Sequence, residues 1–157
     1  MMKQATFYLL PESADGELPA GLSAQAYHAC RLAADAWRRG QRVLIACASQ
    51  TEAFAVDEAL WQFDPQQFVP HNLAGEGPHY GSPVEIAWPE KRSASRRDLL
   101  ISLLPDVADF ASAFLQVIDF VPCEETLKQQ ARERYKAYRQ AGFQLTTQDL
   151  GITPSTN

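Results

Sequence analysis

Cationic and aromatic side chains concentrate in residues 128–139, KQQARERYKAYR, within one predicted helix. At 3.6 residues per turn, one stripe of this helix carries Lys128, Arg132, Lys136 and Arg139, with Tyr135 at its edge. The acid Glu133 faces only Gln129 and Ala137 at the i,i+4 spacing of helical ion pairs. A surplus of positive charge beside an aromatic ring is suited to binding an anion, either a carboxylate or a phosphate.

A solvated outer face explains the same charges equally well, because Lys and Arg stems often cover apolar surface while their charged ends stay in water. A further cation, Arg134, lies on a neighbouring stripe with Leu127, Ala131 and Tyr138. The whole chain has a net charge of −5 and a pI near 5.1, so the positive segment contrasts with the rest. This contrast favours a negatively charged partner and ranks direct binding to a phosphate backbone second.

Motifs for nucleotide chemistry and for metal binding are missing from the sequence. It contains no G-x-G-x-x-G after the first predicted strand, no G-x-x-x-x-G-K-[ST] and no G-x-S-x-G. The cysteines, Cys30, Cys47 and Cys123, are widely spaced and are expected to be small buried hydrophobes. The histidines, His28, His71 and His79, lack metal-ligand spacing and are expected at the surface or in hydrogen bonds. We therefore expect no catalytic site, no cofactor and no metal.

The elements that must position these residues alternate between strand and helix. Short apolar runs predict strands at residues 6–10, 42–47, 84–87, 99–103, 115–120 and 143–147. Helices are predicted from a Ser23 cap to about residue 39, from a Ser49 and Glu52 capping box through Trp61, and over residues 106–113 and 124–140. Gly40 and Gly142 are expected to end two of them, and residues 65–81 are predicted to form a loop rich in Pro and Gly.

This alternation predicts a Rossmann-like α/β fold, with a mainly parallel sheet, helices on both faces and no nucleotide-binding motif. The length of 157 residues suits one domain over residues 1–150, followed by a flexible C-terminal tail at 151–157. No apolar run approaches the roughly 18 residues of a membrane span, and no signal peptide is recognisable. We expect a cytoplasmic protein that does not contact a membrane.

Two other segments could bind a partner. Trp61, Phe63 and Phe68 lie where the second helix passes into a loop, and their pattern favours the core over an exposed interface patch. A second basic run over residues 91–97 could contact nucleic acid, or could be a solvated connection between strands. The acids Asp57 and Glu58 fall inside a predicted helix and are expected to face solvent.

The segments of the chain resemble one protein family in order and spacing. The strings are TFYLL, RVLIAC, DEALW, FVPHNLAGEGP, PVEIAWPEKRSASRRDLLISL, ADFASAF, DFVP and LKQQARERYKAYRQAGF. Together they closely resemble the chi subunit of the bacterial DNA polymerase III holoenzyme over residues 2–145. The resemblance implies a noncatalytic accessory protein of DNA replication that binds the psi subunit of the clamp loader and the C-terminal tail of single-stranded-DNA-binding protein.

The resemblance also implies two sets of binding residues. The tail is acidic and ends in a phenylalanine with a free carboxylate, and the residues that match its pocket are Val121, Lys128, Arg132, Tyr135 and Lys136. Trp61 and Phe68 match positions that contact psi and, in some bacteria, a helicase-like protein that competes for that surface. Contact with DNA would then be mainly indirect, at the replisome. The alternative from the residues alone is an α/β protein that binds single-stranded nucleic acid directly.

Overall fold

The structure, a computed structural model, describes residues 3–10, 23–62, 69–74, 82–91, 98–108 and 110–149. Within these ranges the chain forms seven strands, three α-helices and one 3-10 turn. In chain order they are β1 (Gln4–Leu9), α1 (Ala24–Arg38), β2 (Val43–Ala46), α2 (Gln50–Gln62), β3 (His71–Leu73), β4 (Val84–Ala87), β5 (Leu99–Ser102), the 3-10 turn (Ala111–Ala113), β6 (Gln116–Val121), α3 (Glu125–Gln140) and β7 (Gln144–Asp149).

All seven strands join one sheet in the order β3-β4-β2-β5-β6-β1-β7, and every pairing is parallel. Every residue of β2, β4 and β5 is buried. Burial on both faces of a strand requires cover above and below the sheet, which explains why these short runs are almost continuously apolar. The predicted α/β fold with a parallel sheet is confirmed.

Helices cover both faces of the sheet, as predicted. One apolar cluster joins α1 and α2 to inward side chains such as Val43 and Ile45. The other joins Tyr138 of α3 to side chains such as Leu44 and Phe7. The alternation of Val43, Leu44 and Ile45 between the two clusters follows from the two-residue period of a strand. α2 and α3 therefore lie on opposite faces of the sheet.

Local capping explains where most helices begin and end. Ser23 accepts a hydrogen bond from the Ala26 N–H at 3.1 Å at the start of α1. Ser49 accepts from the Glu52 N–H at 3.1 Å, and the Glu52 carboxylate accepts from the Ala48 N–H at 2.8 Å. The predicted capping box is thus formed, except that the Glu52 carboxylate accepts from the N–H of Ala48 and not from that of Ser49. Gly40 and Gly142 follow α1 and α3 with φ of 85° and 97°.

Two element predictions are wrong. The helix predicted at residues 106–113 is only the 3-10 turn Ala111–Ala113 among the described residues. Ala108, Ala111 and Phe114 are buried at a three-residue spacing, which suits a 3-10 turn and not an α-helix. Conversely, β3 lies within the predicted loop at 65–81. It has three residues and pairs with β4 at the sheet margin, so tertiary pairing forms it without a local strand pattern.

The parallel sheet brings the carboxyl ends of β1, β6 and β7 together. β1 lies between the other two, and Leu9 is in register with Val121 on one side and Asp149 on the other. α3 begins just after β6 and runs back along this part of the sheet. The tail predicted at 151–157 lies outside the described residues. Within the described ranges, no helix has both the length and the apolar character needed to cross a membrane.

Candidate functional site

α3 has a buried face and an exposed face. Glu124 caps its first turn by accepting a hydrogen bond from the Leu127 N–H at 2.9 Å. Ala131, Arg134 and Tyr138 are buried against the sheet. Lys128 is half-buried, whereas the other cations of the predicted stripe, Arg132, Lys136 and Arg139, are exposed. The helix therefore presents its cationic stripe beside the carboxyl ends of β1, β6 and β7.

Arg134 does not belong to this cationic surface. Its Nε donates to Asp119 Oδ2 at 2.8 Å and its Nη2 donates to Asp119 Oδ1 at 3.1 Å. The same guanidinium donates to the carbonyls of Pro105 and Phe120, each at 3.0 Å. Both partners of the ion pair are almost completely buried. One cation of the segment thus connects α3 to β6, and the surplus charge available to a ligand is smaller than the sequence suggests.

Burial and hydrogen bonding act in opposite directions on the pKa of the Asp119 carboxyl. Burial raises the pKa of the Asp119 carboxyl to about 6. The Arg134 guanidinium and the Phe120 N–H, which donates to Asp119 Oδ1 at 2.6 Å, both act to lower that pKa. The contacts with Arg134 and with the Phe120 N–H thus offset part of the effect of burial on the pKa of Asp119.

A pocket of about 480 Å³ lies between α3 and the ends of three strands. Its lining is Phe7, Leu9, Val121, Lys128, Ala131, Arg132, Tyr135, Lys136, Arg139 and Thr147. All five residues that the resemblance assigned to the tail pocket are among them. Phe7, Leu9 and Val121 supply an apolar base, and the side chains of α3 supply a cationic rim. Such a cavity can hold an apolar side chain and bind carboxylates around it.

Tyr135 forms the aromatic wall of the pocket. Its ring meets the Phe7 ring edge-on, with centroids 5.3 Å apart and planes at 63°. The guanidinium carbon of Arg139 lies 5.4 Å from the centroid of the Tyr135 ring. Edge-to-face packing and the cation–π contact hold this wall in one position. The aromatic surface is therefore preorganised for a ring or an aliphatic chain.

The rim cations differ in their contacts. Lys136 Nζ lies 3.8 Å from Glu133 Oε2, and both side chains are largely exposed. Gln129 donates to the same carboxylate at 3.2 Å. Among the described residues, Arg132 and Lys128 form no ion pair with a carboxylate. An incoming anion can therefore bind Arg132 without first displacing a described carboxylate.

Comparison with known proteins identifies the family. The family model described as DNA polymerase III chi subunit, HolC, matches residues 2–146. The chain belongs to the DNA polymerase III chi subunit family. The DNA polymerase III subunit chi of Escherichia coli K12 is 61% identical over 146 residues, which are 93% of this chain and 97% of that protein.

More distant chi subunits cover a similar share of the chain. That of Haemophilus influenzae Rd is 49% identical over 151 residues, 96% of this chain and 100% of its own length. That of Pseudomonas aeruginosa PAO1 is 36% identical over 144 residues, 92% of this chain and 94% of its own length. The similarity to the chi family therefore spans both faces of the sheet, including α2 and α3.

Trp61, which the resemblance matches to a psi-contacting position, is exposed. Its side-chain pattern favoured the core, but 58% of the residue surface is accessible. Ala53, Val56 and Leu60 occupy the inward face of α2, so Trp61 falls on the outer face. Its ring lies edge-on against His71, with centroids 5.3 Å apart. Phe63 and Phe68 lie outside the described residues.

Two single-residue predictions change, those for Asp57 and Cys123. Asp57 does not simply face solvent, because its Oδ1 lies 3.2 Å from Nε2 of the buried His71. Nδ1 of His71 is 2.7 Å from the Val69 carbonyl oxygen, as a hydrogen-bonded role predicts. Cys30 and Cys47 are buried as expected, whereas Cys123 is exposed and donates to the Leu10 carbonyl at 3.2 Å. Among the described residues, no group of three potential ligands could hold a metal ion.

Sequence reasoning missed three of the four strand residues that line the pocket. Phe7 and Leu9 were counted only as part of a buried strand, and Thr147 as part of the last strand. All three point to the α3 side, because Phe7 is in register with Thr147 and Leu9 with Val121. The two-residue alternation along β1 shows which of its side chains share a face of the sheet. Only the strand order shows that this face lies beside β6, β7 and α3. From the second basic run, Lys91 is exposed and its backbone pairs with Trp88, while residues 92–97 are outside the described ranges.

Proposed function

We propose that this protein is a noncatalytic accessory subunit of the DNA polymerase III holoenzyme, whose α3 pocket binds the acidic C-terminal tail of single-stranded-DNA-binding protein. One observation carries the proposal: the five residues matched to the tail pocket, which come from β6 and α3, line one cavity. Its apolar base and cationic rim are complementary to a phenylalanine that ends in a free carboxylate and follows aspartates.

Each part of the pocket has a separate task in this proposal. Arg132 binds the terminal carboxylate, because a guanidinium offers two parallel donors to a carboxylate. The phenyl ring enters beside Val121 and Tyr135, and burying a side chain of that size stabilises a complex by about 1.5–3 kcal/mol. Lys128 and Lys136 attract the upstream aspartates and raise the association rate.

The opposite face of the sheet contributes the link to the clamp loader. Trp61, with Phe68, binds the psi subunit, and a helicase-like protein competes for this surface where such a partner exists. The protein then acts at the cytoplasmic replisome, bridges the clamp loader and coated template, and contacts DNA mainly through its partners. The exposed ring of Trp61 supports this assignment, because exposed tryptophan is enriched at the centres of interfaces.

A peptide titration tests the tail pocket. A peptide of acidic residues ending in Pro-Phe is expected to bind the wild-type protein in a salt-sensitive way. Arg132→Ala should lower the affinity at least about thirtyfold, since losing one partner of an interfacial ion pair costs about 2–5 kcal/mol. Amidation of the terminal carboxylate should weaken binding to wild type. Isothermal titration calorimetry measures both effects.

The matched control is Arg38→Ala, which removes an exposed arginine from α1 on the other face of the sheet. Its affinity should equal that of wild type. Unchanged affinity in Arg132→Ala and with the amidated peptide would contradict the tail model. An oligonucleotide of thymidines, titrated in parallel at low salt, tests the alternative of direct binding: tight binding with a steep salt dependence would favour it.

A further inference from the structure

β7 forms one margin of the sheet, and among the described residues no strand pairs with its outer side. The Gln144 N–H donates to the Lys3 carbonyl at 2.8 Å, on the β1 side of the strand. Successive residues of a strand direct their backbone groups to opposite sides, so Thr146 also faces β1, whereas Leu145 and Thr147 direct their N–H and C=O outward. We call the outward backbone groups of Leu145 and Thr147 the β7 edge.

The composition of β7 leaves this edge open to pairing. Five of its six residues are exposed, and Leu145 is half-buried. The strand contains neither proline nor lysine, with which proteins often block the edges of sheets. The opposite margin, β3, has only three residues, and a short edge strand offers few groups to a partner. Of the two margins, β7 is therefore the one suited to an added strand.

The β7 edge is continuous with the α3 pocket. The side chain of Thr147 lines that pocket. Leu145 packs against the same apolar cluster as Tyr135, the aromatic wall of the pocket. A peptide that leaves the pocket beside Thr147 thus meets the outward N–H and C=O of the same residue. An extended chain with its last side chain in the pocket can continue along the β7 edge without turning.

Charge favours one direction for an acidic chain along this edge. Lys3 precedes β1, and Arg139 is the base in the last turn of α3, so both lie toward the amino end of β7. Acids lie toward the other end, Asp149 on β7 and one more in the first turn of α3. Between the two ends, Lys136 lies 3.8 Å from Glu133. An acidic chain is therefore favoured to run from the amino end of β7 toward the pocket, parallel to the strand.

We propose that the residues of the acidic tail upstream of its terminal phenylalanine pair with the β7 edge and extend the sheet by one parallel strand. The inference rests on the proposed function, because it assigns the added strand to the peptide that enters the α3 pocket. Backbone hydrogen bonds to Leu145 and Thr147 hold the upstream residues, and the pocket reads the end of the chain. Alternate side chains of the added strand face the cations of α3.

A backbone N-methyl scan of the peptide tests the pairing. A peptide of aspartates ending in Pro-Phe, methylated at one amide nitrogen at a time, is titrated calorimetrically into the full-length protein. An added strand directs only alternate N–H groups to β7, so methylation should weaken binding about fivefold or more at every second aspartate and less than about twofold at the others. Proline has no N–H to lose, so the sensitive positions should begin at the aspartate directly before it.

Leu145→Pro tests the protein side of the same hydrogen bonds. It removes an N–H that points away from β1, a position at which an edge strand tolerates proline. Leu145→Ala is the matched control, because it removes the same side chain and keeps the N–H. The unmodified peptide should bind Leu145→Pro about fivefold or more weakly than Leu145→Ala. Thermal unfolding checks that both variants fold, and the N-methyl scan on wild type decides if Leu145→Pro does not.

The outcomes separate the edge from the pocket. Equal affinity of all N-methylated peptides for wild type, or equal losses at every aspartate, would overturn the pairing with β7. If Arg132→Ala still weakens binding of the unmodified peptide in that case, the tail pocket stands without the added strand. Absence of binding between the unmodified peptide and wild type would overturn the proposed function, and the β7 inference with it.

Discussion

Arg132 and Arg134 are two positions apart on α3 and have different environments. Arg132 is exposed on the pocket rim, whereas Arg134 is buried and donates to Asp119 through two nitrogens. A rotation of about 200° around the helix axis separates the two side chains. Charge at Arg132 is available to a ligand, and charge at Arg134 is compensated inside the protein.

Arg134→Ala is expected to lower the free energy of unfolding by about 3–5 kcal/mol, because it leaves the Asp119 carboxylate buried without its cation. Arg132→Ala should change it by less than about 0.5 kcal/mol, as an exposed substitution does. Urea unfolding followed by circular dichroism measures both. The double variant Asp119→Ala, Arg134→Ala should recover part of the loss. Equal stability of the two single arginine variants would contradict the assigned roles.

The loss of stability in Arg134→Ala should grow as the pH rises above about 6. Burial already raises the pKa of Asp119 to about 6 in the wild-type fold, and removing the guanidinium, which lowers it, raises it further. A group with a raised pKa in the folded state contributes stability at low pH that is lost as the pH rises through that pKa. The free energy of unfolding of the variant therefore continues to fall at pH values above those at which the wild-type value has stopped falling. Urea midpoints from pH 5 to 8 test this, and a constant difference would contradict it.

At the scale of elements, the pocket depends on how α3 packs over three parallel strands. β1 supplies Phe7 and Leu9, β6 supplies Val121 and β7 supplies Thr147. Adjacent residues of a strand point to opposite faces, so only alternate residues of β7 can reach the pocket. Thr147 lies on the pocket side, while Thr146 contacts Thr6, with their hydroxyl oxygens 3.3 Å apart.

This alternation predicts different effects for neighbouring substitutions on β7. Thr147→Asp puts a carboxylate in the pocket and should weaken binding of an acidic tail peptide about tenfold or more, because like charges repel. Thr146→Asp adds the same charge on the other face and should leave the affinity almost unchanged. Fluorescence anisotropy with a labelled peptide compares the two variants at equal ionic strength. Equal losses would mean that the peptide does not enter beside Thr147.

At the scale of the whole molecule, the two candidate surfaces lie on opposite faces of one sheet. The α3 pocket is cationic at its rim, and α2 contains three acids and no base, although the chain as a whole has a net charge of −5. None of the residues that line the pocket belongs to α2. This arrangement would allow one molecule to bind two different partners at the same time, as the proposed bridging role requires.

Binding at the two surfaces should therefore be independent. The affinity for the tail peptide is expected to agree within about twofold with psi bound or absent, because distant sites without shared contacts are nearly additive. Arg132→Ala should leave psi binding unchanged, and Trp61→Ala should leave peptide binding unchanged. Calorimetric titrations of the free protein and of the purified psi complex measure this. A large change in peptide affinity in the complex would show that the sheet couples its two faces.

The sequence alone determined the elements with strong local signals. Ser23, the Ser49 and Glu52 box, Gly40 and Gly142 define helix ends through hydrogen bonds and φ angles within a few residues. The apolar runs of β2, β4 and β5 predicted buried parallel strands, because a run of neighbouring apolar residues is also a local signal. The cationic stripe on α3 was also visible, because helical periodicity is a property of neighbouring residues.

Only the tertiary structure decided how these elements combine. β3 exists because β4 pairs with it, and the described part of residues 106–113 forms only a 3-10 turn, which suits the three-residue spacing of its buried side chains. The sequence places Arg134 on a stripe beside the exposed cations, and only the fold brings it to Asp119, fifteen positions earlier in the chain, which pairs its charge. Strand order similarly brought Phe7 and Thr147 into one pocket. These outcomes depend on contacts between distant residues, which local periodicity does not contain.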